Sequence, residues 1–188
     1  MRDVKNRYGG LPPRTPEMLY NIVRKFYRGA VNHYELIQEK KADVKRALAE
    51  WTGAREDEWQ ERQQEVNKAL TTLFLEFHFY VTCWLQIEMA LYRLARSDER
   101  HARIMERFRD VLGTHVNVRH HLDQTEQCVE AQWEGDSNKQ RLPGAERDLY
   151  RFGETLFTVD QQSLDSLHGL YDAIMAVRNE GVPDQRHP

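Results

Sequence analysis

Six polar residues lie on or beside the apolar faces of predicted helices. Glu88, His33 and His168 lie among core positions, and His115, Arg119 and His121 border the apolar stripe of the predicted fourth helix. A carboxylate and an imidazole that meet in a pocket can act as a general acid and base. A buried carboxylate held by a cationic side chain can instead fix how helices are aligned. We prefer the second interpretation, with Arg119 or His168 as the partner of Glu88, because buried polar groups are normally hydrogen-bonded whatever their role. The candidate catalytic residues, should an open cleft lie over Glu88, are Glu88, Arg119, His121 and His168.

Metal and cofactor chemistry has less support in the sequence. A dimetal carboxylate bundle needs Glu-x-x-His pairs, and no Glu stands three residues before any of the eight histidines. Asp98 with His101, and Asp165 with His168, offer an Asp-x-x-His variant that places two ligands on one helix face. Neither pair has an evident third ligand, so no metal or cofactor is predicted, and a metal-binding bundle is kept as an alternative. The chain also lacks a nucleotide-binding glycine loop, a GxSxG elbow and an HExxH motif.

Charge and cysteine content bound the class of protein. The formal net charge is -3, which gives no global reason to expect a nucleic-acid partner. Cys83 and Cys128 form no CxxC pattern, so both are expected to be small apolar fillers. The first residues contain no apolar run of signal-peptide length, and a cytoplasmic location is therefore expected.

The longest apolar segment, Ala69 to Ala95, predicts a central helix that is apolar on both sides and surrounded by other helices. Charged and polar residues interrupt it too often for a membrane span. The acidic stretch before it contains no turn-forming residue, so one long helix over about 56–96 is expected. Its polar first half should project from the core or lie against the first helix, and a projecting half would suit partner binding or dimerisation.

The first helix is predicted to begin at Thr15 and Pro16, an N-cap followed by a proline at the first helical position, and to stop at Gly53. The polar stretch around Lys41 is a possible bend. Ser97 and Asp98 should cap a third helix. Gly113 and Thr114 should separate the third helix from a fourth, which is expected to end near residue 133.

The segment 134–148 is polar, rich in Gly and Pro, and predicts a loop. Two short runs of aromatic and β-branched residues then predict a small β-hairpin over about 149–159. Asp160 should cap the last helix. The predicted fold is thus all-α, an up-down bundle of four to five helices with a small hairpin before the last helix. Residues 15–180 form one domain, flanked by a flexible arm, 1–14, and a flexible tail, 181–188.

The segment from Val118 to Gln124, sequence VRHHLDQ, follows the long apolar helix and resembles the HEPN group of helical-bundle proteins over about residues 70–130. In that group an Arg and a His a few residues on meet across a dimer and cleave RNA without metal. Arg119 matches the Arg, but Gln124 stands where the His would be, and an amide does not transfer protons at neutral pH. Arg96 to His101 and Arg109 to His115 also satisfy the loose spacing. The resemblance implies a bundle that dimerises, either an inactive relative used for binding or a ribonuclease.

These patterns lead to one preferred function and two alternatives. The preferred function is a non-catalytic helical bundle that acts through protein–protein contacts, with a homodimer as the expected state. The first alternative is a HEPN-like ribonuclease or toxin that uses Arg119 with a nearby His, in which case RNA is the partner. The second is a metal-binding bundle. No small-molecule partner is evident in the sequence.

Overall fold

We describe a computed structural model of the protein, which covers residues 14–122, 149–152 and 155–180. The described part is mostly helical, with five helices and two short strands. The all-α prediction is therefore confirmed at that level. The predicted loop, the end of the fourth helix, the tail and the arm before residue 14 all lie outside the described residues.

Helix α1 spans Pro16–Thr52 and begins and ends as its sequence predicts. The Thr15 side-chain oxygen accepts a hydrogen bond from the Met18 backbone N–H, and Gly53 caps the C-terminus. The helix continues through the polar stretch around Lys41, where the sequence allows a bend. There the Lys41 ammonium, whose side chain is buried, donates to Gln38 Oε1 at 2.8 Å. The charge is thus satisfied locally without a break in the helix.

Helix α2 spans Trp59–Ala95, and its polar first half lies against α1. Val66 in that half is fully buried, and the rings of Trp59 and Trp51 lie 5.7 Å apart. A short connection joins the two helices, so they run antiparallel, each 37 residues long and about 55 Å at 1.5 Å per residue. The centre of the core lies along the apolar part of α2, where Phe77, Tyr80 and Trp84 have no exposed surface.

Helices α3, Glu99–Arg107, and α4, Arg109–Leu122, meet at Phe108. The predicted break at Gly113 and Thr114 is wrong, since α4 runs through both residues. The Thr114 hydroxyl donates to the Asp110 carbonyl oxygen one turn back, and this bond lies within the helix. The predicted N-cap of α3 is present, because an Asp98 side-chain oxygen accepts from the Arg100 backbone N–H.

Strands β1, Leu149–Phe152, and β2, Thr155–Thr158, pair antiparallel with Leu149 opposite Thr158. The turn between them, residues 153–154, lies outside the described residues, so the closed hairpin stays a prediction. Helix α5, Gln161–Glu180, begins where Asp160 Oδ1 accepts from the Ser163 backbone N–H at 2.9 Å. It packs on α1 and α3. Its fully buried residues are Leu167, Leu170 and Ile174.

Candidate functional site

The four candidate catalytic residues lie on three helices: Glu88 on α2, Arg119 and His121 on α4, and His168 on α5. The His121 side chain lies outside the described residues. The hydrogen bond described for His168 is made to another residue, and Glu88 Oε2 has no hydrogen-bond partner in the described part of the chain. The expected pairing of Glu88 with His168 is therefore not observed.

His168 joins α5 to α1. Its Nδ1 is hydrogen-bonded to the Tyr27 hydroxyl at 2.8 Å, and the Tyr27 ring stacks on Tyr171 with centroids 3.8 Å apart. Burial raises the pKa of the Tyr27 hydroxyl, which keeps that group protonated at neutral pH. Tyr27 on α1 thus contacts two residues of α5, His168 through its hydroxyl and Tyr171 through its ring. These contacts stabilise the packing of α5 on α1, and we interpret them as structural.

His33 joins α1 to α2 in a similar way. Its Nδ1 donates to Glu76 Oε2 at 2.7 Å, and its ring stacks on Phe79 with centroids 5.3 Å apart. The His33 and Glu76 side chains are 26% and 15% exposed, so water reaches the pair. The sequence pattern identified His33 but missed Glu76. Only the antiparallel packing of α1 on α2 brings the two residues together, 43 positions apart.

His101 lies under the N-terminal end of α1. Its Nε2 is hydrogen-bonded to the Tyr20 hydroxyl at 3.0 Å, and its Nδ1 lies 3.6 Å from Asp98 Oδ2. Arg100 hydrogen-bonds the Asp98 carboxylate and lowers its pKa to about 2, whereas burial lowers the pKa of His101 and raises that of Tyr20. A tyrosine that resists ionisation is a poor nucleophile. This acid, histidine and tyrosine series is therefore a structural chain of contacts.

His115 belongs to a buried aromatic cluster with Tyr80, Trp84 and Phe157. Its ring stacks on Trp84 with centroids 4.1 Å apart and meets Phe157 edge-on at 5.5 Å. Its Nδ1–H donates to the Val111 carbonyl oxygen at 2.7 Å, and its buried Nε2 has no partner in the ranges that the structure describes. Burial lowers the pKa of His115 to about 4, so the ring is neutral at pH 7.

Glu88 is different, because it lines an open groove between α2, α3 and α4. The groove has a volume of about 500 Å³. Its walls include the apolar side chains of Met105, Leu112 and Val116, and the half-exposed ring of Tyr92. Burial raises the pKa of the Glu88 carboxyl. A partly desolvated carboxylate in a mainly apolar groove is the feature of the described structure that best fits a ligand site.

The rim of this groove carries its own charges. Arg109 forms an ion pair with Glu106, the other carboxylate that lines the groove. The negative charge of Glu106 is therefore compensated by its neighbour one helical turn away. Arg96 also lines the groove, and Glu88 Oε2 has no hydrogen-bond partner among the described residues.

Comparisons of the chain with protein-family models, curated proteins and solved structures gave no match. Inferences about function thus depend on the side chains themselves. Within the described ranges, no three His, Cys, Asp or Glu side chains converge in a way that would hold a metal ion. No helix in the described part is both long and apolar enough to cross a membrane.

Among the described groups, His33 and Glu76 form a hydrogen-bonded pair that water reaches, and Glu88 lines an open, mainly apolar groove. His101 and His115, the histidines of the two other Arg-to-His matches, are 2% and 5% exposed and lie in the protein interior. Arg119 is half-buried on α4.

Proposed function

We propose that this protein is a non-catalytic cytoplasmic helical bundle that acts through protein–protein contacts, first of all with a second copy of itself. The observation that supports the proposal is an exposed apolar strip on α2. Leu75 and Phe79 lie one helical turn apart and are 51% and 43% exposed. Large apolar side chains exposed side by side are typical of interaction surfaces.

The strip continues along the helix at the three-and-four spacing of a helix–helix seam, through the partly exposed residues Thr82, Gln86 and Met89. None of these side chains is charged, so two copies of the strip would meet without like-charge repulsion. A two-fold interface brings the same patch of both subunits together, and an uncharged patch of apolar and neutral polar side chains can complement itself. From Leu75 to Met89 the strip runs about 20 Å along α2 at 1.5 Å per residue, so it would form the centre of an interface of ordinary size.

The test is the oligomeric state in solution, measured by sedimentation velocity from about 1 to 100 μM, a span set around common homodimer affinities. The wild-type chain should sediment as a dimer, and Leu75→Glu should shift it to monomer with an unchanged circular dichroism spectrum. Met18→Glu is the matched control, because Met18 is 48% exposed but lies on α1. It should leave the dimer intact. A wild type that is monomeric at the highest concentration, or a Leu75→Glu dimer as tight as that of Met18→Glu, would refute self-association through this strip.

The same preparations test the ribonuclease alternative. If the protein cleaves RNA in the presence of a chelator, and Arg119→Ala abolishes the cleavage, the HEPN-like function replaces our proposal. If wild type and Arg119→Ala leave RNA equally intact, the non-catalytic proposal stands. Elemental analysis of the purified protein tests the metal-binding alternative, which requires a stoichiometric metal ion.

A further inference from the structure

The His33–Glu76 pair lies directly beside the exposed apolar strip of α2. Glu76 follows Leu75 in the sequence, and the His33 ring stacks on Phe79 with centroids 5.3 Å apart. The hydrogen bond between His33 Nδ1 and Glu76 Oε2 is 2.7 Å long, and the two side chains are 26% and 15% exposed. A second copy that packs on Phe79 would therefore cover much of the surface through which water reaches this pair.

The net charge of the pair depends on pH. A glutamate carboxylate is negative above about pH 5, whereas an imidazole gains its second proton between about pH 8 and pH 5. Because Nδ1 of His33 already donates to Glu76, the added proton goes to Nε2 and the hydrogen bond is kept. The pair thus carries one negative charge while His33 is neutral, and no net charge once His33 is protonated.

We propose that protonation of His33 strengthens self-association through the Leu75–Phe79 strip, so that the dimer is tighter at about pH 6 than at about pH 8. The inference rests on the proposed function and adds control by protons to the same surface. An unpaired charge that is taken out of water costs more free energy than a hydrogen-bonded ion pair. Two copies of the strip take two such pairs out of water, and this cost is lower when each pair has no net charge.

Other titratable groups lie near the pair. On α2, His78 meets Phe79 edge-on with centroids 6.3 Å apart, so its protonation also changes the charge beside the strip. On α5, which packs on α1, His168 has its own hydrogen bond to α1. Among the described residues, Glu76 is the group that forms an ion pair with His33. Removal of the Glu76 charge should therefore reverse the contribution of His33 and leave that of His78.

Sedimentation velocity of the full chain at about pH 6 and about pH 8, from about 1 to 100 μM, measures the effect. The quantity compared is the ratio of the dimer dissociation constant at the higher pH to that at the lower pH. His33→Gln keeps every other titratable group and sets the baseline ratio. The wild-type ratio should exceed that baseline at least about tenfold, because two pairs respond in each dimer. Glu76→Gln should fall below the baseline, since the proton on His33 then adds an uncompensated charge.

Glu35→Gln is the control for net charge, because Glu35 is an exposed carboxylate on α1. It should keep the wild-type ratio. Equal ratios for wild type and His33→Gln, or a ratio for Glu76→Gln above the baseline, would overturn this inference and leave the dimer itself intact. A chain that is monomeric at both pH values would overturn the dimer and this inference together. Circular dichroism at both pH values checks the fold of each variant, and either variant that folds decides the matter by comparison with wild type.

Discussion

Acid should destabilise this protein through one histidine. His115 is enclosed by Trp84, Tyr80 and Phe157, and its Nδ1–H is held by the Val111 carbonyl oxygen. These aromatic neighbours carry no charge that would favour an imidazolium ion. The free energy of unfolding should therefore fall when the pH is low enough to protonate this ring in the unfolded chain.

The magnitude follows from the two pKa values of the ring. Burial lowers the pKa of His115 from its ordinary value of 6.5 to about 4. At about 1.36 kcal/mol per pKa unit, this difference is worth about 3 kcal/mol. Because the folded state resists protonation, the unfolded state binds the proton first. The contribution of His115 to the free energy of unfolding is therefore complete above pH 6.5 and decreases as the pH falls towards 4. Below pH 4 it no longer changes with pH.

Urea denaturation between pH 4 and pH 8 measures the effect, with His115→Phe as the test variant. Phe keeps a ring against Trp84 and cannot be protonated, so the variant should lose about 3 kcal/mol less than wild type between pH 7.5 and pH 4. Comparing losses cancels the cost of repacking and the titration of all other groups. Parallel profiles for wild type and His115→Phe would refute the burial argument.

Three further predictions concern Glu88, Cys83 and Gly113. Glu88→Leu should raise the free energy of unfolding at pH 7 by about 1 kcal/mol, or about 2–4 °C in Tm. It removes a carboxylate whose pKa is raised by burial and whose Oε2 has no hydrogen-bond partner among the described residues. Calorimetry should show the gain shrinking as the pH falls towards 4.5, and a lower Tm at pH 7 would contradict it. Cys83 is buried, with a pKa raised to about 11, so a thiol reagent at pH 8 should label it only after urea is added. Rapid labelling of Cys83 in native protein, located by mass spectrometry, would disprove this. A Cβ at Gly113 would meet nothing within 4 Å, so thermal denaturation should show Gly113→Ala more stable by about 0.5–1 kcal/mol; a loss would mean that α4 does not continue through this position.

The sequence was sufficient for the starts of α1, α3 and α5, because each of these three is determined by local chemistry. Thr15, Asp98 and Asp160 each place a side-chain oxygen on a free backbone N–H, and this signal lies within three residues. The predicted break at Gly113 is wrong because a single glycine is a weak local signal. Glycine weakens a helix by only about 1 kcal/mol relative to alanine, and tertiary packing around α4 outweighs so small a cost.

Partners across helices could not be predicted, because they depend on the rotation and shift of one helix against another. His33 and His168 were correctly identified as polar residues on apolar faces, yet Glu76 and Tyr27 were not assigned to them. The expected pairing of Glu88 with His168 is not observed, because His168 is hydrogen-bonded to Tyr27. His115 was placed at the border of the apolar stripe of α4, but β2 brings Phe157 over it and completes its burial.

These contacts separate Glu88 from the polar residues that hold helices together. His33 and His168 each have a hydrogen bond to a residue on another helix, and so does His101 through Nε2. The buried Nδ1 of His101 has no hydrogen-bond partner in the described part of the chain. Glu88 Oε2 has no hydrogen-bond partner among the described residues, and an apolar residue at that position would fit the surrounding wall better. Glu88→Leu should therefore stabilise the protein at pH 7, whereas loss of a carboxylate that the fold holds in a hydrogen bond would destabilise it.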